Sequence, residues 1–251
     1  MKTTAFIITL KRAVERLPQV ERIRTACPIR CETLEAVDGR GLTDEQRSLL
    51  VSQGQHRPRY PFTMRDGEVG VFMSHRKAWQ EIISRDLDAG LILEDDLEID
   101  VTAFGNAWDL ALKHVQVNDY IKFPVPKRNR GFESAGKPAQ IQTPTVIPLG
   151  ATSQLVTRGA AKQLLALTEK FDRPVDTFIQ MNWVTGITPR IVSPSGITEV
   201  SHLLGGSTIQ KKDRPLRESI YRNVKRPTYR LKVCVNAYWH AISGSKQNTS
   251  G

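Results

Sequence analysis

Apolar residues along this chain come in two rhythms. Short runs with β-branched members alternate with longer stretches in which apolar positions recur every three or four residues. Thr3–Leu10 is a compact apolar run that predicts a first strand, and Arg12–Thr25 after it is a charged, helix-like segment with Pro18 in its first turns. Ile29–Val37 reads as a second strand closed by the turn pair Asp38-Gly39, and Thr43–Val51 as a short helix. Residues His56–Pro61 form a Pro- and Arg-rich loop. Thr63 and Asp66 have the spacing of a capping box ahead of a long helix ending near Asp88. That helix has the stripe Phe72, His75, Trp79, Ile82.

The alternation continues downstream. Gly90–Glu94 predicts a buried strand, Thr102–Val115 a helix and Asp119–Phe123 a strand, with Pro124–Pro144 a polar loop. Val146–Val156 holds one or two strands, Arg158–Glu169 an Ala/Leu helix, Asp176–Trp183 another helix and Arg190–Val192 another strand. Strands interleaved with helices predict an α/β fold with a mostly parallel sheet. The division expected is one domain over 1–210, a basic, aromatic-containing segment over 211–242, and a Gly/Ser/Asn-rich disordered end over 243–251.

Composition narrows the class. At 251 residues with 39% hydrophobic content, the chain can bury a sizeable core, and no run nears the roughly 20 apolar residues of a membrane span. Lys11 and Arg12 cut the opening apolar run too short for a secretory signal, which gives an expectation of cytoplasmic residence. Cys27, Cys31 and Cys234 form an odd set without CxxC spacing, as free thiols in a reducing compartment would. The net charge is +10, and residues 211–232 hold nine Lys/Arg against Asp213 and Glu218. Such a segment seeks polyanions: an anionic membrane surface, nucleic acid or phosphate-bearing ligands. No nucleic-acid-binding signature accompanies it, so no specific nucleic acid is expected.

The most conspicuous chemistry is the strand end Leu91-Ile92-Leu93-Glu94-Asp95-Asp96. Ligands of open α/β sheets bind beyond the carboxyl ends of strands. Three adjacent carboxylates repel one another unless a partner intervenes, and a hard divalent cation such as Mn²⁺ or Mg²⁺ suits them. A solvated acidic turn fits the same letters. His75 on its apolar stripe, with Glu68 two turns earlier, suits either a core histidine and a helix-start acid or a site beside the acidic strand end. Asp176 is either a first-turn acid or a general base. Arg12 and Arg16, four residues apart, could reach a diphosphate, although solvated helix charges are the simpler reading.

Taken in order, these segments resemble glycosyltransferase family 25. The resemblance is carried by Glu35-Ala36-Val37-Asp38-Gly39, by Gly67-Glu68-Val69-Gly70 running on to Ser74-His75, and by Leu91–Asp96. Gly150-Ala151-Thr152-Ser153 through Leu165 and Pro174-Val175-Asp176 complete it. Val71 stands where the family often has Cys, and Thr177 where a second acid is frequent. The resemblance implies a GT-A-type nucleotide-diphospho-sugar transferase fold and an inverting galactosyl transfer from a UDP-sugar. The acceptor it implies is a saccharide or lipid-linked saccharide at the inner face of a bacterial membrane, where residues 211–232 would lie peripherally. It places the metal at Asp96 and Glu94 with His202 as a late ligand. The donor falls near Leu10, Arg12, Asp38, Gly39, Glu94 and Asp95. It puts Ser74 and His75 on the sugar or acceptor side, and Asp176 ahead of Glu68 as base. A metal-dependent nucleotidyltransferase or phosphohydrolase is the alternative, weakened by the lack of a phosphate-gripping Gly-rich loop. An inactive scaffold ranks lower still.

Overall fold

The computed structural model describes residues 1–124, 137–204 and 216–247, with side chains over 223–243 in the last segment. β1 (Thr3–Thr9) enters the core directly and leads through a 3-10 turn (Val14–Arg16) into α1 (Leu17–Ala26), with Pro18 in its first turn. A proline there removes only an N–H that has no helical partner anyway. β2 (Cys31–Glu35), a 3-10 turn (Gly39–Gly41) and α2 (Asp44–Leu50) follow. Thr43 and Gln46 form a reciprocal capping box at the start of α2.

α3 (Asp66–Ser84) is the long helix, and its start corrects the sequence reading. The cap is made by Glu68, whose carboxylate accepts from the Arg65 backbone N–H at 2.7 Å, not by the Thr63–Asp66 pair. The helix also ends sooner than expected, because Asp86 turns to a left-handed φ of 50°. β3 (Ala89–Glu94) follows, then β4 (Leu97–Ile99), α4 (Val101–His114), β5 (Tyr120–Lys122), β6 (Gln140–Gln142), β7 (Ser153–Thr157) and α5 (Arg158–Leu167). The helix expected over Asp176–Trp183 is two short ones, α6 (Val175–Ile179) and α7 (Asn182–Thr185). β8 (Arg190–Ser193), β9 (Ile197–Glu199) and α8 (Leu216–Gln247) complete the described chain. α8 carries helix through Ser243–Gln247, where the sequence suggested a disordered end. One glycine, Gly244, costs a helix only about 1 kcal/mol.

The main sheet has the order β2-β1-β3-β7-β5-β8-β6. β1 is parallel to both β2 and β3, β5 is parallel to β8, and β7 and β6 run against their neighbours. Most strands therefore point the same way, as expected for a mixed α/β sheet. Alternation along each strand divides the core into two layers. Phe6, Ile8 and Ile92 face α3 and α5, against Phe72, Trp79, Ile82 and Leu164. Ala5, Ile7, Leu91 and Leu93 face α1 and α4, against Val20, Ile23, Phe104 and Trp108. β4 and β9 pair antiparallel as a separate ribbon beyond the end of β3, with Leu97 opposite Glu199. Among the described residues no helix is long and apolar enough to cross a membrane.

Candidate active site

β1 and β3 are parallel neighbours, so the chain leaves both at the same edge of the sheet. A cleft of about 740 Å³ opens there. Leu10 and Arg12 line it from the end of β1, Asp38 and Gly39 from the turn after β2, Ser74 and His75 from α3, and Glu94, Asp95 and Asp96 from the end of β3. Segments separated by more than 80 residues thus meet as the sequence motifs suggested.

The turn bearing Asp38 is locked onto α3 by two glycines. A Cβ on Gly39 would come within 1.8 Å of the Asp66 carbonyl oxygen, and one on Gly70 within 2.5 Å of the Val37 oxygen. Ser74 completes the lock: its hydroxyl accepts from Val37 N–H at 2.8 Å and donates to the Gly70 carbonyl at 2.7 Å. Asp38 is thereby held where Arg12 Nε donates to it at 2.5 Å. That hydrogen bond is the main reason its carboxyl titrates below the ordinary range.

The three acids at the end of β3 have unlike surroundings. Asp95 is buried, accepting from Thr9 Oγ1 at 2.6 Å and from the Arg16 guanidinium. Arg16 is itself 2% exposed, and its Nη1 also lies 3.4 Å from Asp96. Burial works against the Arg16 charge, but Asp95 and Asp96 outweigh it and raise its pKa. Arg16 is therefore a buried counter-ion rather than the solvated charge its position in the sequence suggested. Glu94 is half-buried, with Oε1 3.9 Å from His75 Nε2.

Asp96 differs from both. Its Oδ1 is buried and accepts no hydrogen bond. Burial first, then the charge of Glu94, pushes its pKa up to about 7; Arg16 opposes this, while Asp95 and Glu199 add to it. A carboxylate crowded in this way, with one oxygen unsatisfied, fits a cation. Among the described residues, no group of three or more His, Cys, Asp and Glu side chains is arranged to hold a metal. Magnesium-like ions commonly take one or two carboxylates plus substrate phosphates, and these acids fit that sparse pattern better than an all-protein cage.

Glu199 is the residue that sequence reasoning missed. Pairing of β9 with β4 brings it into the cleft, and the Val200 N–H donates to the Asp96 carbonyl at 2.8 Å. His202, the late ligand expected from the resemblance, lies exposed in the next 3-10 turn and does not line the cleft.

The two candidate bases fall outside the cleft lining. Glu68 caps α3, as described above. Asp176, at the start of α6, accepts from Gly150 N–H at 3.0 Å and from Thr177 N–H at 2.7 Å. Two residues after Gly150, the Thr152 carbonyl accepts from Glu94 N–H at 2.9 Å. The segment 150–152 thus spans from Asp176 to the acidic strand end. Lys122 lies in the same region, 3% exposed, with its ammonium donating to the Pro148 carbonyl. Burial lowers its pKa to about 8, against the opposing pull of Asp176.

An open α/β sheet with a carboxylate-lined cleft beyond its strand ends has its candidate ligand site at that edge. Comparison with known sequences makes the family specific. The chain belongs to glycosyltransferase family 25, described as an LPS biosynthesis protein family, whose sequence model matches residues 2–179. It is 35% identical over 98 residues to human procollagen galactosyltransferase 2, covering 38% of this chain and 16% of that protein. The Drosophila melanogaster glycosyltransferase 25 family member is also 35% identical over 98 residues, with the same coverage. The mouse inactive glycosyltransferase 25 family member 3 is 32% identical over 95 residues, covering 37% of this chain and 16% of that protein. The chain thus spans about a sixth of the length of these relatives. A mutant Drosophila β-1,4-galactosyltransferase 7 complexed with manganese, UDP-Gal and xylobiose aligns at a TM-score of 0.45 and 11% identity. That alignment covers 87% of this chain and 79% of the other, a likeness too loose to carry function or site residues.

Proposed function

We propose that the chain is a GT-A-type galactosyltransferase that takes UDP-galactose as donor and uses a divalent cation, Mn²⁺ or Mg²⁺. The observation that carries this reading is the unsatisfied, buried Oδ1 of Asp96, crowded by Glu94, Asp95 and Glu199 at the carboxyl end of a parallel strand. Galactose is supported by the procollagen galactosyltransferase among the relatives.

Asp96 would hold the cation, with Glu94 or Glu199 beside it, and the donor's phosphates would complete its shell. The cation supplies charge neutralisation at the leaving diphosphate. Asp95 instead fixes Arg16, and through it the start of α1. Arg12 and Asp38, on the glycine-locked turn, flank the nucleotide. An inverting transfer needs a carboxylate that takes the acceptor hydroxyl proton as that oxygen attacks. We assign this to Asp176, because its partner Gly150 lies two residues from Thr152, which accepts from Glu94 N–H at the acidic strand end, whereas Glu68 caps α3 at Arg65. The segment 150–152 sets its distance from Glu94.

The acceptor we propose is a lipid-linked saccharide at an anionic membrane, met through α8. Tyr229, Val233 and Ala237 of α8 are buried against the domain, while Val224, Leu231, Val235, Tyr238, Trp239 and Ile242 are exposed along the opposite side. Lys225 and Lys232 flank that outer stripe on one side, and the chain has no Asp or Glu beyond Glu218. This is the pattern of a helix lying in a headgroup interface. Peripheral placement on a cytoplasmic membrane face belongs to the same proposal. The basic residues Lys211, Lys212 and Arg214 lie outside the described residues.

A second reading, a family member that no longer transfers sugar, draws on the absence, among the described residues, of three or more side chains arranged to hold a metal, and on the inactive mouse relative. Calorimetric titration with UDP in the presence of Mn²⁺, followed by a screen of UDP-sugars for transfer or hydrolysis, separates the two. No heat of UDP binding with metal present defeats the donor-site reading. Binding without turnover of any donor supports the second.

A further inference from the structure

His75 is 1% exposed on α3, and its Nδ1 lies 3.2 Å from Nε2 of Gln154. Gln154 is fully buried at the centre of the sheet, on β7, paired with Ile92 of β3 and Lys122 of β5. The other imidazole nitrogen, Nε2, makes no hydrogen bond and points to Glu94 Oε1 at 3.9 Å. Trp79 packs tilted against the ring, with centroids 6.4 Å apart.

The amide of Gln154 can face the ring in two ways. With its NH₂ toward Nδ1, that nitrogen is the acceptor and the proton sits on Nε2. With its oxygen toward Nδ1, the proton moves to Nδ1, and a lone pair on Nε2 confronts the Glu94 carboxylate. An ionised carboxylate only accepts. The second arrangement therefore sets two acceptors against each other in a buried place, and the first sets a donor beside an acceptor. Yet at 3.9 Å the pair is too far apart to bond directly. A buried donor without a partner costs free energy, so this one awaits a ligand atom.

We propose that Gln154 is a positioning residue that fixes His75 as the Nε2–H tautomer, and that His75 and Glu94 together bind one hydroxyl group of a sugar. A hydroxyl can accept from His75 and donate to Glu94 at once. A phosphate oxygen accepts only and is repelled by Glu94, so the pair selects sugar rather than diphosphate. The tautomer follows from the buried geometry alone; the ligand half rests on the donor-site reading above. The ribose and the transferred hexose both offer such a hydroxyl.

The test begins with long-range ¹H–¹⁵N spectra of the full chain, histidine-labelled, at mildly alkaline pH where imidazole is neutral. His75 is identified by the signals missing from His75→Gln. In the wild type, its nitrogen coupled to both carbon-bound ring protons shows the protonated-type shift, and Gln154→Met weakens that bias. The opposite tautomer in the wild type overturns the proposal, even where the variant does not fold. So does a spectrum that Gln154→Met leaves unchanged. Titrations with UDP and with UDP-galactose then read the ligand half, with Gln154→Met expected to lose about tenfold in affinity. A loss for both ligands places the hydroxyl on the ribose; a loss for UDP-galactose alone places it on the hexose. No loss for either removes the sugar contact. A wild type that binds neither UDP compound defeats the donor-site reading and with it the sugar contact, while the spectra still decide the role of Gln154.

Discussion

Two glycines set the geometry of the cleft, and they do so by what they lack. A Gly70→Ala methyl would fall 2.5 Å from the Val37 oxygen and 2.7 Å from Gly39 N, both backbone atoms that can yield only if the Asp38 turn lifts off α3. Forced overpacking of this kind costs about 1–3 kcal/mol. Gly105 on α4 makes the contrast, since a methyl there meets nothing within 4 Å. Gly105→Ala should stabilise by about 0.5–1 kcal/mol through helix propensity alone. Urea unfolding midpoints are expected to move in opposite directions for the two variants. Asp96 makes a pH prediction at the same scale. Its folded pKa of about 7 lies above the ordinary 3.8, so folding favours the protonated acid. The stability this group contributes is full below 3.8 and is lost as pH rises to about 7, an effect on the order of a few kcal/mol. Asp96→Asn imitates the protonated form. It should match the wild type at low pH and exceed it in unfolding free energy above neutrality, and parallel stability–pH curves would contradict the crowding described here. Glu94, Asp95 and Asp96 were legible in the sequence because adjacency is itself the signal. Glu199 was not, since it reaches the site only by pairing about 100 residues later. Arg16 looked like any solvated helix charge, and only the buried carboxylate of Asp95 shows otherwise.

Among the elements, length decided what could be read. β1, β3, α3 and α5 have enough residues to display a period, and each lies close to its expected place. Of the four three-residue strands only β5 lies within an expected one, at Asp119–Phe123; β4, β6 and β9 display no period, and each exists because a neighbouring strand completes its hydrogen bonds. α8 was read by charge and not by shape. Its inner face is fastened by Tyr229, whose hydroxyl meets Arg173 Nη1 at 2.8 Å, and Arg173 is fully buried with Asp172 as counter-ion. On the outer stripe Leu231 and Trp239 are 65% and 67% exposed, so the two faces can be tested apart. Leu231→Glu with Trp239→Glu should reduce sedimentation with vesicles containing anionic lipid by tenfold or more, since each charge opposes both burial and the surface potential. UDP binding should be unchanged, because neither residue lines the cleft. Equal sedimentation of variant and wild type would remove α8 from the membrane proposal.

At the scale of the whole molecule, the cleft is assembled from the ends of two parallel strands, a turn locked onto a helix, and an antiparallel ribbon. None of these carries a complete metal site alone, and among the described residues none is formed by their meeting. This arrangement makes a definite prediction about coupling. If the protein offers a cation only one or two carboxylates, metal alone binds weakly, and a diphosphate alone meets the carboxylates of Glu94, Asp96 and Glu199. Each ligand then supplies what the other lacks, so their affinities must rise together and reciprocally. Saturation to about 100 times Kd adds roughly 2.7 kcal/mol of stability. For a chain of this size that is a rise in Tm of about 5–10 °C. Thermal unfolding with Mn²⁺ alone, UDP alone and both together should therefore show small shifts for the single additions and the full rise only for the pair. Additive single shifts would mean that the cation and the nucleotide occupy independent places. Asp96→Asn should abolish the cooperative part while leaving the fold intact, because that side chain carries the oxygen left unsatisfied in the cleft. Lowering the pH below about 7 should weaken the cooperative rise in the wild type, because protons then compete for the same carboxylate.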